Sequence, residues 1–197
     1  MAFISNGTTI LNAGAFNVSL GNLVLISEQT ASGSASVEFT TGIDSTYPIY
    51  KFEYINCHPS SASTIGFLGS TNGGSSYGIT KTSASFYALH TENDATTSLS
   101  YNIFQDLAQS TSRQGLVGTL STDSDSSGSG YLYIFNPSST TFVKHYIANA
   151  NGSNAQSINS YTAGYFNTTS AINAIQFSMS SGNIDSGTIK LYGIKDS

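Results

Sequence analysis

Apolar and polar residues alternate with a period of two through much of this 197-residue chain. Near the C-terminus Ile189, Leu191 and Gly193 alternate with Lys190, Tyr192 and Ile194, the pattern of a strand with one buried face. Asp185-Ser186 supplies a turn ahead of it and Gly187 opens it. Tyr50, Phe52 and Tyr54 alternate with Lys51 and Glu53 in the same way, giving a strand with an aromatic inner face. The pattern predicts strands over Leu23–Gln29, Ser34–Thr40, Ile49–Cys57, Thr64–Gly69, Ser76–Lys81, Ser85–His90 and Ser98–Leu107. It predicts further strands over Gln114–Leu120, Gly130–Asn136, Thr141–Ile147, Ser160–Asn167, Ala174–Met179 and Gly187–Ile194.

Turn clusters separate these segments: Ala31-Ser32-Gly33, Gly42 to Ser45, Pro59-Ser60-Ser61, Asn72 to Ser75, Asp123 to Ser129, Pro137-Ser138-Ser139 and Ser180 to Asn183. They supply positive φ or side chains that bond their own backbone. Helical windows are nearly absent, and Asn102–Gln109 reads equally as a helix or as a strand plus a turn. Many short strands with frequent turns mean an all-β, antiparallel sandwich or barrel. We place one such domain over residues 23–197. Residues 1–22 carry no charge and are dotted with apolar side chains: Phe3, Ile4, Ile10, Leu11, Phe16 and Val18. Such a segment is either an extended N-terminal arm lying across a neighbouring subunit or partner protein, or an extra strand folded on its own domain.

Composition narrows the class. Only 9% of residues are charged, and 19 glycines, 12 tyrosines and 11 phenylalanines stand among abundant Ser, Thr and Asn. A surface kept soluble by hydroxyls and amides opposes close packing of copies only weakly. A net charge of −5 with six Lys+Arg gives no footprint for nucleic acid or an anionic membrane. No stretch approaches the roughly 18–20 apolar residues of a membrane helix. A single cysteine, Cys57, excludes an intrachain disulfide. Met1-Ala2-Phe3-Ile4 is not a secretory leader, so synthesis in a reducing cytoplasm is expected.

Three stretches carry a resemblance: Ile10 to Val18; Thr30 to Phe39 with Tyr47 to Phe52 and Asn72 to Tyr77; and Tyr161 to Phe166 with Ala174 to Met179 and the closing strand. Together they resemble the jelly-roll virion structural proteins of tailed phages infecting marine bacteria and cyanobacteria, of capsid-decoration or tail-fibre type. The resemblance spans nearly the whole chain, and its motifs are strands and turns. It implies an antiparallel jelly-roll β-sandwich in which Ser34–Phe39 and Ile189–Leu191 are long partners closing one sheet. It implies a non-enzymatic role, foremost as a capsid decoration or cement protein that stabilises the shell of a tailed cyanophage. The expected partners are copies of itself, as a homotrimer or other small symmetric oligomer, and the major capsid protein or another virion protein. The expected location is the virion, after synthesis in the host bacterial cytoplasm. The alternative is a tail-fibre or receptor-binding module that holds a host surface glycan.

Candidate chemistry is sparse. Asp123-Ser124-Asp125 is the densest acidic stretch, but no Asp or Glu follows within ten residues to complete a calcium loop, so a solvated hairpin loop is the better reading. Glu92-Asn93-Asp94 adds a ligand only if folding joins the two loops. His58, His90 and His145 stand far apart, without zinc spacing or a nucleophile elbow, so we assign no catalytic residue, metal or cofactor. A carbohydrate-cleaving enzyme needs two carboxylates about 5–10 Å apart across a cleft, and no such pair is nameable here. Cys57 reads as a buried structural thiol, since no base is identified to activate it. The Asn-x-Ser/Thr triplets at Asn6, Asn17, Asn151 and Asn167 follow from composition. Tyr77, Tyr87, Tyr161 and Tyr165 fall near loop ends and are the candidate glycan-facing aromatics; core filling and subunit contact compete for them.

Overall fold

The computed structural model describes residues 22–195 and three short strands nearer the N-terminus, β1 (Phe3–Ser5), β2 (Thr8–Asn12) and β3 (Ala15–Phe16). These three pair antiparallel in the order β1-β2-β3, so the segment expected as an extended arm contains two hairpins. Of its candidate contact residues, Val18 lies outside the described residues, as do the side chains of Phe3, Ile10, Leu11 and Phe16. Ile4 is exposed.

Thirteen strands follow: β4 (Leu23–Ser34), β5 (Val37–Phe39), β6 (Ile49–Pro59), β7 (Ile65–Ser70), β8 (Lys81–Thr91), β9 (Thr97–Tyr101), β10 (Leu107–Ser110), β11 (Gln114–Gly115), β12 (Gly128–Phe135), β13 (Lys144–Ser153), β14 (Gln156–Phe166), β15 (Ala174–Met179) and β16 (Ile184–Ile194). No helix occurs among the described residues. A large sheet runs β10-β8-β14-β13-β12-β6-β16-β4, with β9 also paired to β8, and a small sheet runs β11-β7-β15-β5. All pairings are antiparallel.

The two sheets face each other in a sandwich-like fold, and their inward rings interdigitate. Phe52 of β6 lies 5.3 Å from both Phe39 of β5 and Phe177 of β15, centroid to centroid. Phe67 of β7 meets Tyr146 of β13 edge-on at 5.1 Å. Tyr50, Phe52, Tyr54, Ile189 and Leu191 are fully buried, as their alternation predicts. Burying rings of this size supplies most of the drive to hold the sheets together.

The closing strand β16 lies inside the large sheet, between β4 and β6. Its partner differs from the expected Ser34–Phe39. Ile189 stands opposite Gln29 and Leu191 opposite Ser27, while Val37–Phe39 pairs with β15 in the small sheet. The chain crosses from one sheet to the other between Ser34 and Val37, so those residues cannot form a single long strand. Gly187 does not open β16 but sits within it at a φ of +133°, where an added Cβ would fall 2.8 Å from the Cα of Cys57.

Further expectations change: the strand expected over Gln114–Leu120 is a strand only at Gln114–Gly115, and the one expected over Ser98–Leu107 ends at Tyr101. Ser76–Thr80 joins no ladder, and β8 begins only at Lys81, opposite Phe166. The segment from Thr141 becomes a strand only at Lys144, but continues to Ser153 and turns tightly into β14. Ala155 carries the positive φ of that turn, 52°, a position where sequence reasoning looks for glycine. Nearby Gly152 serves close approach instead: its Cβ would lie 2.7 Å from Val117 Cγ2 and 3.0 Å from Leu120 Cδ2. Asn102–Gln109 resolves as a turn followed by β10.

Candidate assembly surface

The outward face of the large sheet is built by the same alternation that fills the core. In β8, Lys81 and Ser85 point inward and are buried, so Phe86 and Ala88 point outward. In β14, Ser160 and Thr162 are buried and Tyr161 and Ala163 face out. Register then aligns one outward residue from each strand: Tyr101, Phe86, Tyr161, Asn149, Tyr131, Glu53, Lys190 and Glu28, running from β9 to β4. The adjacent rows add Leu99, Ala84, Ala163, Ile147, Tyr133, Tyr192 and Leu25.

The β9–β12 half of this face is aromatic and aliphatic. The Phe86 and Tyr161 rings stack with centroids 5.0 Å apart and planes 11° from parallel, and Tyr131 meets Tyr133 at 5.2 Å. Leu99 is 76% exposed, Tyr101 56% and Phe86 46%. Leu23, Leu25, Ile55 and Ile147 are exposed on the same side.

The other half carries charge that cancels locally. Lys51 Nζ donates to Glu53 at 2.5 Å and lies 5.8 Å from both the Tyr131 and Tyr133 ring centroids. Lys190 Nζ sits 3.1 Å from Glu28. Partly desolvated yet hydrogen-bonded to Glu53, the Lys51 ammonium is held above its ordinary pKa. This face therefore presents rings and paired ions, with little net field to repel an identical surface.

The four tyrosines singled out in the sequence do not form one platform. Tyr161 and Tyr165 share the outward face of β14. Tyr87, opposite Ser160, points to the other side of the sheet. Tyr77 lies before β8, half-buried, its hydroxyl 3.4 Å from Glu38, and burial pushes it up to about 12. Tyr87 and Tyr161 lie mid-strand rather than at loop ends.

The acidic loops are occupied by their own hydrogen bonds. Asp123 accepts from Ser121 Oγ at 2.8 Å, its carbonyl lies 3.2 Å from His58 Nε2, and the Asp125 carbonyl accepts from Ser153 Oγ at 2.9 Å. Asp94 pairs with His90 at 2.9 Å on an exposed turn. Among the described residues no group of three His, Cys, Asp or Glu side chains gathers as a metal site requires. Cys57 is fully buried, and desolvation pushes its thiol up to about 12, so it is held as an unreactive thiol.

The continuous run Phe86-Tyr87-Ala88-Leu89 was the available signal that this strand carries apolar side chains on both faces. Comparison with protein-family models, with curated proteins and with solved structures finds no match for this chain.

Proposed function

We propose that this protein is a non-enzymatic virion structural protein of jelly-roll type, acting as a capsid decoration or cement protein of a tailed phage. Strand order supports the jelly-roll assignment. Numbering β4, β5, β6, β7, β11, β12, β15 and β16 from one to eight, the large sheet contains 1-8-3-6 and the small sheet 2-7-4-5, the order of a jelly roll. The strands β8–β10 and β13–β14 are then two insertions, after the fourth and sixth strands, that extend the large sheet.

The observation that carries the role is the outward face of that large sheet. It spans eight strands about 4.8 Å apart with three or four outward residues each, on the order of 800 Å². That is about the area one partner contributes to a stable interface. Its rings supply the apolar core of such an interface, and its paired ions add no repulsion. A homotrimer or other small symmetric oligomer built through this face multiplies modest contacts to the major capsid protein, with the uncharged N-terminal segment as the reach toward the shell.

Quantitative electrophoresis of purified virions tests this reading. A decoration protein is present in hundreds of copies and rebinds empty shells. A handful of copies, near the number of portal or tail proteins and with binding to cells, would replace it with a tail-fibre or receptor-binding module.

A further inference from the structure

The large sheet extends past the small one, so part of its inner face is roofed by loops instead of strands. The turn after β9 and the segment from Arg113 to Leu120 fold over β8 and β14 there, bounding a half-open cavity of about 450 Å³. Its size is that of a small-ligand site.

Two of its lining residues each bury a polar atom that has no hydrogen-bond partner: Gln105 Oε1 and Ser160 Oγ. Gln105 is 7% exposed and Ser160 1%. The two ends of the Gln105 amide are distinguished, because its Nε2 donates to the Val117 carbonyl and leaves Oε1 as an acceptor only. Its backbone carbonyl is held by Gln114 Nε2 at 2.6 Å, and Gln114 Oε1 accepts from Tyr146 at 2.8 Å. A well-braced amide with an empty acceptor is a costly arrangement unless a donor arrives.

The same wall holds an unpaired cation. Arg113 spends Nη1 on the carbonyls of Thr64, at 2.5 Å, and Ser178, at 3.0 Å, and makes no ion pair among the described residues. Nη2 and Nε remain as donors, and no Asp or Glu lines the cavity. Two rings complete it: Tyr87 on the sheet and Phe104, 92% exposed, in the roofing turn. A phenyl ring left so open beside a polar cavity has no packing role in this fold.

We propose that this cavity binds a sugar bearing a carboxylate, with its C–H face against Phe104 and Tyr87. Its acid group faces Arg113, and its hydroxyls lie against Gln105 and Ser160, whose unpartnered oxygens a small side-chain rotation would turn toward them. A hydroxyl both donates and accepts, which matches an acceptor-only amide beside a serine. The guanidinium fork fits a carboxylate. Absence of acidic residues on the wall leaves an anion unopposed, and leaves no carboxylate pair for cleaving the sugar. This site is independent of the assembly role, since it lies on the opposite side of the sheet from the aromatic face.

Titration of the isotope-labelled full chain with D-glucuronate, D-glucose and inorganic phosphate, followed by amide NMR, tests it. Glucuronate is expected to bind with a dissociation constant of about 1–10 mM, shifting the Gln105 side-chain amide and Arg113, with glucose at least about tenfold weaker. No saturable shift with glucuronate, equal binding of glucose, or equal binding of phosphate would each overturn the proposal. Phe104→Ala removes a solvent-exposed ring, so its melting temperature should match the wild type while glucuronate affinity falls about tenfold. Ser160→Ala should melt no lower than the wild type and bind glucuronate more weakly. Unchanged affinity in both variants would also overturn the assignment.

Discussion

Lys81 and Lys144 flank the same ring: in the large sheet's register both stand opposite Phe166, one on each neighbouring strand, with both side chains buried. Lys81 Nζ lies 6.0 Å from the Phe166 ring centroid and donates to the Ile79 carbonyl. Lys144 Nζ donates to the carbonyls of Phe142 and Thr168. Neither has a carboxylate partner among the described residues.

Burial pushes the Lys81 ammonium down to about 8 from 10.5, and Lys144 is lowered for the same reason. Between about pH 8 and 10.5 the unfolded chain holds a proton that the folded chain has released, so stability rises with pH in that window. The whole effect of Lys81 is on the order of 3 kcal/mol. From pH 9 upward Cys57, raised to about 12, works in the opposite sense, because the unfolded thiol ionises first. Above pH 10 the raised hydroxyls of Tyr54, Tyr77 and Tyr146 add to that loss. Urea melts at successive pH values should show stability climbing from pH 8 to 9, levelling, then falling above 10. In Lys81→Met the climb should be smaller and the stability at pH 7 higher; an unchanged profile would refute the link.

The stacked Phe86 and Tyr161 rings give the outward face its apolar centre. The double variant Phe86→Ser with Tyr161→Ser removes solvent-facing rings, so its folding should survive with a loss of about 1 kcal/mol or less for the lost stacking. Sedimentation velocity of wild type and variant should show the oligomer dissociating to monomer. A variant that keeps the wild-type sedimentation coefficient would move the assembly contact elsewhere.

Gly152 lies where the Val117–Leu120 segment presses on β13. Gly152→Val places carbon atoms into Val117 and Leu120 and should cost about 1–3 kcal/mol. The urea midpoint reads this directly. The same substitution at Gly78, where nothing lies within 4 Å of an added Cβ, provides the control.

The Cys57 thiol should resist alkylation in the native chain at pH 8 and react fully in denaturant, a contrast that mass spectrometry measures. Rapid labelling of the folded protein would mean that β6 opens locally around Cys57.

The aromatic core was legible because its strands bury one face only. Tyr50-Phe52-Tyr54 and Ile189-Leu191 repeat every second residue, and the structure buries each of them. Lys81 and Lys144 were not legible, since a lysine in an alternating pattern reads as outward and only the tertiary register turns these two inward. Phe86 was missed for the converse reason, and Tyr161 was singled out only as a candidate glycan contact near a loop end. Alternation shows that a strand has two faces, but nothing local says that Ser85 and Ser160 take the inner one. The cavity depends on contacts between Gln105, Arg113 and β14 that are remote in sequence, and of its wall only Tyr87 had been singled out.

The large sheet ends differently on its two sides. On one, β8 is shielded along its length by two short strands, β9 near one end and β10 near the other, which leaves no long run of free backbone groups. On the other, β4 is twelve residues long and pairs only with β16 among the described residues. Among the described strands, addition of an incoming strand is therefore blunted at one border and open at the other. Backbone pairing can thus join two copies edge to edge through β4, and then has no second open border from which to continue.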